Sequence, residues 1–283
     1  MNISQSGFSS LPEVVKNLLI INGLAFLATI VFKSSFDIDL NNMLGLHYWK
    51  SEHFRIYQVV TYMFMHGSIS HLLFNMFAVW MFGTTIENTW GPKRFLTYYL
   101  LTGFGAAALH YGIIHFQLAP DIAMMESIIL DPSLASIDVF IENHRFQVSE
   151  LYSPEIYPAY EDFKSTYSAL NRNPENFEAL NMASRFFSQY LTHFMNQPPV
   201  VGASGSLFGI LLAFGMLFPN ALLMMLFIPV PIKAKYFVMA YGAIELFQAI
   251  ANKPGDNVAH FAHLGGMVFG FILIKIWGTK KIF

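Results

Sequence analysis

Six apolar runs constrain this chain more than any other feature. They cover about Val14–Phe32, Tyr62 or Ser70 to Ile86, Phe95–Phe116, Ala203–Leu217, Tyr236–Ile250 and Val258–Trp277. Roughly 20 apolar residues cross the hydrocarbon core of a bilayer, where a chain must satisfy its backbone internally as helix. Composition agrees: 54% of the 283 residues are apolar, 12% are charged and mean hydropathy is +0.45. The expected fold is all-α and polytopic, with six transmembrane helices. The first run reads as a retained helix and not a secretory signal, because Met1–Pro12 carries no Lys or Arg and no small-residue cleavage site precedes Lys33-Ser34-Ser35.

Residues 117–199 break this pattern. They hold eleven of the eighteen acidic residues, and their apolar positions recur at helical spacing instead of running together. Asp131-Pro132, Ser153-Pro154 and Asn173-Pro174 each set a capping side chain before a proline, which predicts three helix starts. Phe177, Leu180, Phe187, Tyr190 and Leu191 then form a stripe that needs a partner surface. We therefore divide the chain into residues 1–116 (helices 1–3 of the membrane core), a helical extramembrane insert at 117–199, and residues 200–283 (helices 4–6 and a short tail).

Charge supplies an orientation. With the N-terminus cytoplasmic, the cytoplasmic loops and tail hold Lys16, Lys93, Arg94, Lys233, Lys235, Lys280 and Lys281, against Lys33, Lys50, Arg55 and Lys253 opposite. The positive-inside rule favours that arrangement, which corresponds to a cell inner-membrane protein with both termini cytoplasmic. The insert and the starts of the fourth and sixth runs then share the outer side. A formal net charge of −2 without a basic run gives no reason to expect nucleic acid. The absence of cysteine excludes disulfides, thiol nucleophiles and Cys-ligated metal centres, and no cofactor is expected.

A nucleophile near the outer face must then be Ser, Thr or a metal-activated water. Gly202-Ala203-Ser204-Gly205 opens the fourth run. Gly202 and Gly205 let backbone approach a reacting carbonyl, and a helix N-terminus offers unpaired N–H groups to a developing oxyanion. The same small residues also serve helix packing, as Gly205-x-x-x-Gly209-x-x-x-Ala213 does, and this segment alone does not separate the two uses. A base at matching depth is found in Ala259-His260-Phe261-Ala262-His263, at the start of the sixth run. His263, Gly266 and Gly270 share a face that can press on the Ser204 helix. Periodicity does not choose between His263 and His260. His71 and Asn75, at i and i+4 near the outer end of the second run, offer two donors to one point, as an oxyanion hole requires, or serve as interhelical hydrogen bonds.

Together, Gly202-x-Ser204-Gly205, Ala262-His263-x-x-Gly266 and His71-x-x-x-Asn75 resemble the motifs of the rhomboid intramembrane serine proteases, in the family's order on the second, fourth and sixth spans. The resemblance covers about Val14–Phe116 and Gly202–Trp277 and leaves the insert outside. It implies an endopeptidase that cleaves transmembrane protein substrates near the outer face of the bilayer through an acyl-enzyme. In that reading Ser204 is the nucleophile, His263 the general base, and His71, Asn75 and the Ser204 N–H the oxyanion hole. It further implies that Phe208 stacks on the catalytic imidazole where the family often has Tyr, and that His66 and Glu87 are structural. Tyr57-Gln58 stands where the family often shows Trp-Arg. The dyad would lack an orienting aspartate and be held by packing and Phe208. Substrates with small residues at the scissile bond would enter beside the fifth span, under a cover formed by Ile250–Asn257.

Other classes compete. A histidine-liganded membrane metalloenzyme would use His110-x-x-x-x-His115 and His260-x-x-His263, without a His-Glu-x-x-His helix. A catalytically silent relative would act by binding alone. A transporter would need buried charge, and Glu245 is the one acidic residue well inside a run.

Overall fold

A computed structural model describes residues 11–146, 148–225, 228–251 and 259–278. The chain is mainly helical: α1 (Glu13–Phe36), α2 (Ile69–Trp90), α3 (Pro92–Leu130), α4 (Leu134–Asn143), α5 (Tyr157–Arg172), α6 (Phe177–Met195), α7 (Ser204–Leu217), α8 (Ala234–Ala251) and α9 (His260–Trp277). Two short helices, Leu40–Leu44 and Gln58–Thr61, lie between α1 and α2. Strands β1 (Leu222–Met225) and β2 (Ile228–Lys233) pair antiparallel, with Leu222 opposite Lys233 and Leu223 opposite Ile232. Pro219, Pro229 and Pro231 already exclude a helix through this segment.

Among the described residues, α1, α2, α3 and α9 are long and apolar enough to cross a membrane. The fourth expected span, α7, is apolar but has 14 residues. Large apolar side chains face outward along the spanning helices, including Leu24 and Leu27 on α1, Phe74 and Phe77 on α2, and Phe271 and Ile276 on α9. Such a belt is unstable in water and stable in lipid.

The chain forms two compact units. The first comprises the described parts of 1–47, 55–112 and 199–283; the second comprises 48–54 and the described parts of 113–198. α3 contributes to both, running past the expected end at Phe116 and through Pro120 to Leu130.

In the second unit, α4–α6 and the end of α3 pack around Met125, Ile128, Ile137, Phe140, Phe163, Leu170, Phe186, Phe187 and Tyr190. Its helices begin two or three residues later than the proline signals suggest. The caps are Ser133, in a capping box with Ser136, and Asn176, whose side chain accepts from Ala179; α5 follows Ile156 without a side-chain cap. Pro154 and Pro174 instead occupy the second position of turns, closed by Ile156 N–H to Ser153 O at 3.2 Å and Asn176 N–H to Asn173 O at 3.1 Å. A proline's fixed φ suits that position as well as a first helical residue. The apolar stripe of α6 is also shifted: Phe177 is exposed, while Ala179, Ala183, Phe186, Phe187 and Tyr190 are buried.

In the first unit, Glu87 ties α2 to the start of α1. Its two carboxylate oxygens accept from Val14 N–H at 2.9 Å and Val15 N–H at 2.8 Å. A buried carboxylate there satisfies two of the donors that every helix start leaves open.

Candidate active site

Ser204 is the first residue of α7, and the chain reaches it along a fixed path. Val200 and Leu46 exchange two backbone hydrogen bonds of 2.9 Å, Tyr111 donates its hydroxyl to Leu46 O, and Gly202 N–H donates to Tyr62 O at 2.9 Å. Gly202 has φ +126°, a conformation open to glycine and strained for other residues. Space makes the same demand: a Cβ there would lie 2.8 Å from His71 Nε2 and 3.7 Å from Ser204 Oγ. The His71 ring and the Ser204 hydroxyl thus border the same bare backbone.

α7 is almost wholly buried and pinned to α3. Tyr98 donates its hydroxyl to Gly209 O at 2.8 Å, and Ser206 Oγ donates to Tyr99 O at 2.7 Å. α9 lies so close that a Cβ on Gly266 would overlap the Gly205 carbonyl. Small-residue faces on two helices permit that approach. It sets His263, near the start of α9, opposite Ser204, near the start of α7.

His263 Nε2 lies 2.9 Å from Ser204 Oγ, with suitable geometry for a hydrogen bond. Phe208, one turn after Ser204, stacks on the imidazole with ring centres 4.2 Å apart and planes 10° from parallel. Asn75, on α2, is buried, and its side-chain NH₂ has no hydrogen-bond partner among the described residues. Leaving a buried donor unpaired costs about 1–3 kcal/mol, and such a group often marks a place where a ligand supplies the acceptor. His71, one turn earlier on the same face, spends its backbone N–H on the Ser68 cap and turns its ring toward Gly202. The His66 ring meets it edge-on at 5.0 Å. A hydroxyl on a base, at a helix N-terminus and across bare backbone from a second imidazole, is a constellation suited to acyl transfer.

A family model for the rhomboid domain matches residues 53–119 and 172–280, more than half of the chain. The chain belongs to the rhomboid family. The match begins after α1 and resumes within the insert at residue 172, so it extends further into the insert than the motif resemblance does. Two proteins of Arabidopsis thaliana are similar. RHOMBOID-like protein 12, mitochondrial, is 34% identical over 107 residues, which are 38% of this chain and 31% of that protein. RHOMBOID-like protein 6, mitochondrial, is 40% identical over 53 residues, 19% of this chain and 17% of that protein. The chain thus covers less than a third of the length of these curated relatives. With its apolar helices, this rhomboid is a multi-pass membrane protein.

This rhomboid brings together Ser204, His263, Phe208, Gly202, Gly205, Gly266 and His71, and it adds a residue that motif reasoning missed. Glu245, on α8, is buried, and its Oε2 lies 2.9 Å from His263 Nδ1 and 2.6 Å from His260 Nδ1. The expectation that His263 is held by packing and Phe208 alone is therefore corrected: a carboxylate holds it. The available signal was the isolation of Glu245 inside an apolar run, since an ionisable residue there needs a partner. His260 and His263 both reach Glu245, but in this structure His263 is the one bonded to Ser204. Glu245, His260 and His263 are also the group of described residues whose donor atoms could surround a metal, all within 4.8 Å of one another. The expected cover, Ile250–Asn257, falls from residue 252 onward outside the described residues.

Proposed function

We propose that this rhomboid is a serine endopeptidase that cleaves membrane-spanning segments of other membrane proteins within a six-helix core. The observation that carries the reading is the 2.9 Å contact between Ser204 Oγ and His263 Nε2, at a helix start bordered by Gly202, His71 and Gly205. As Oγ attacks a peptide carbonyl carbon, its proton passes to Nε2. The tetrahedral oxyanion accepts from Asn75 Nδ2–H, from the His71 ring and from the Ser204 N–H. The imidazolium then gives its proton to the leaving amine, which departs and leaves an acyl-serine. Water, deprotonated by His263, attacks that ester and releases the acid. General acid–base catalysis of this kind contributes about 10²–10⁴-fold, and each well-placed oxyanion donor about 10²–10³-fold.

Depth follows from helix length. A 14-residue helix rises about 21 Å, against a hydrocarbon core of ~30 Å. With the far end of α7 at one face, Ser204 sits roughly 9 Å inside the other. A peptide carbonyl at that depth is ordinarily sealed in its own helix, so the scissile segment must unwind, and helix-breaking residues near it would favour cleavage. On the Lys/Arg distribution we assign the protein to a cell inner membrane, with cytoplasmic termini and an extracytoplasmic site. The mitochondrial names of two relatives make a mitochondrial membrane the second reading, which cell fractionation decides.

The test is cleavage of a reporter transmembrane substrate by the full chain in proteoliposomes. Ser204→Ala and His263→Ala should each reduce turnover by about 10³-fold or more, and a serine-directed phosphonate should label wild type at Ser204. Undiminished cleavage by a well-folded Ser204→Ala protein would overturn the reading.

A further inference from the structure

We propose that Glu245 is the positioning residue of His263, completing a carboxylate–imidazole–hydroxyl relay in which His260 pins the carboxylate. The proposal rests on the Ser204–His263 reading above. It concerns a residue on α8, the helix that carries neither the nucleophile nor the base.

Three observations converge. Glu245 Oε2 accepts from His263 Nδ1–H at 2.9 Å, and that nitrogen is the one facing away from Ser204. An ionised carboxylate only accepts, so this bond fixes the proton on Nδ1 and leaves the Nε2 lone pair for the Ser204 proton. The proposed base is thereby set in the tautomer that the chemistry needs. When Nε2 takes the Ser204 proton, a positive imidazolium forms against a carboxylate in a buried site, where charge interactions are far stronger than in water. Glu245 stays ionised throughout, and the proton that moves is the one between Oγ and Nε2.

The second observation is the expense of keeping Glu245 at all. An ionisable side chain inside an apolar helix is costly unless it is paired. Glu245 shares the buried face of α8 with Ala234, Val238 and Ala249, where any apolar residue would do for packing. Its partners are the two imidazoles of α9.

The third observation concerns His260. His260 and His263 stand at i and i+3, on one face of α9, and both donate to the same oxygen of Glu245. Two donors on one oxygen hold it in position better than one, so the second histidine at this helix mouth supports the first without reaching the nucleophile. A metal bridging the three residues is the rival explanation, since two histidines and a glutamate form a known zinc ligand set. Donors bound to one tetrahedral metal at 2.0–2.2 Å lie ~3.3 Å or more apart. The observed 2.6 Å and 2.9 Å separations are hydrogen-bond lengths.

The experiment uses full-length protein in proteoliposomes with the transmembrane reporter, measuring kcat, KM and thermal stability. Glu245→Gln should lower kcat by about 10²-fold or more, as losing the orienting carboxylate does in serine hydrolases, with KM within about two-fold of wild type. Glu245→Asp, which keeps the charge but shortens the reach, should fall between the two. Wild-type activity should survive a metal chelator. Glu245→Gln with near-wild-type kcat overturns the proposal. Equal losses in the Gln and Asp variants, matched by lower thermal stability, overturn it in favour of a structural role. Chelator-sensitive activity restored by zinc overturns it in favour of a metal. Should the Gln variant not fold, the Asp variant decides: about ten-fold lower kcat at unchanged KM is expected, and unchanged kcat overturns. Failure of the underlying reading looks different, because there Ser204→Ala itself retains cleavage.

Discussion

His263 in the candidate active site and His144 in the second unit each stand between a carboxylate and a hydroxyl. Glu245 Oε2, His263 and Ser204 Oγ are joined at 2.9 Å and 2.9 Å; Asp121 Oδ2, His144 and Tyr190 Oη at 2.8 Å and 2.8 Å. The wiring is the same and the surroundings of the hydroxyl are not. Ser204 begins a helix, is flanked by Ala203 and Gly205, and is only half-buried. Tyr190 lies in the interior of α6 and is 2% exposed, with its ring against Phe146, Phe186 and His144. A carbonyl can approach the first hydroxyl and has no room at the second. Tyr190 also lacks the unpaired N–H groups that a helix start offers to an oxyanion. A carboxylate–imidazole–hydroxyl chain is thus a strong buried hydrogen-bond network in either setting. What makes one of them a candidate for catalysis is the bare backbone and the unpaired donors around it.

That comparison breaks most visibly at the hydroxyl. Ser204→Ala should remove essentially all cleavage, whereas removing the Tyr190 hydroxyl should leave turnover unchanged. The next largest effect is expected at Asn75. Asn75→Ala should lower kcat by about 10²-fold, as loss of one oxyanion donor does. It should not reduce thermal stability, since the buried side-chain NH₂ that it deletes has no partner among the described residues. A loss of stability without a loss of kcat would make Asn75 a helix-packing residue and weaken the contrast with the insert.

The candidate site was legible where small residues and polar donors stand close in sequence or at helix spacing. Ser204 between glycines, His71 four residues before Asn75, and His263 three before Gly266 are patterns within single helices. Glu245 was visible as an isolated charge but not as a partner. Its bond to His263 depends on the register between α8 and α9, which periodicity within either helix does not encode. Periodicity also left His260 and His263 equivalent, and they separate only because the close approach at Gly205 and Gly266 delivers one of them to Ser204. The apolar runs announced a helical membrane protein, yet proline misled at element ends. Pro154 and Pro174 close turns before α5 and α6, because a fixed φ suits a turn as well as a helix start.

The insert relay is expected to act on stability alone. His144→Leu keeps an apolar body among Phe140, Phe146 and Phe194 but removes the bonds to both Asp121 and Tyr190. Losing a charge-assisted hydrogen bond together with a second bond to a buried hydroxyl should cost about 2–3 kcal/mol. Hydrogen exchange of the α6 amides, where it proceeds through opening of this unit, should speed up roughly 30- to 150-fold. Phosphonate labelling of Ser204 should proceed at the wild-type rate. Lost labelling in a protein whose α6 exchange is unchanged would show that His144 serves the chemistry.

The smallest effect separates ring from hydroxyl within that relay. Tyr190→Phe retains the aromatic surface that stacks on Phe186, with ring centres 5.7 Å apart and planes 12° from parallel, and meets Phe146 at 4.9 Å. It removes the hydroxyl and with it the bond to His144 Nε2. His144 keeps its bond to Asp121, and a single net hydrogen bond is worth about 1 kcal/mol. Exchange in α6 should therefore rise about five-fold, well short of the His144→Leu change, with cleavage unaltered. If Tyr190→Phe instead matches His144→Leu, the imidazole is held chiefly through the hydroxyl, and Asp121 contributes little. The two relays would then differ in which end anchors the ring: the carboxylate at His263, the hydroxyl at His144.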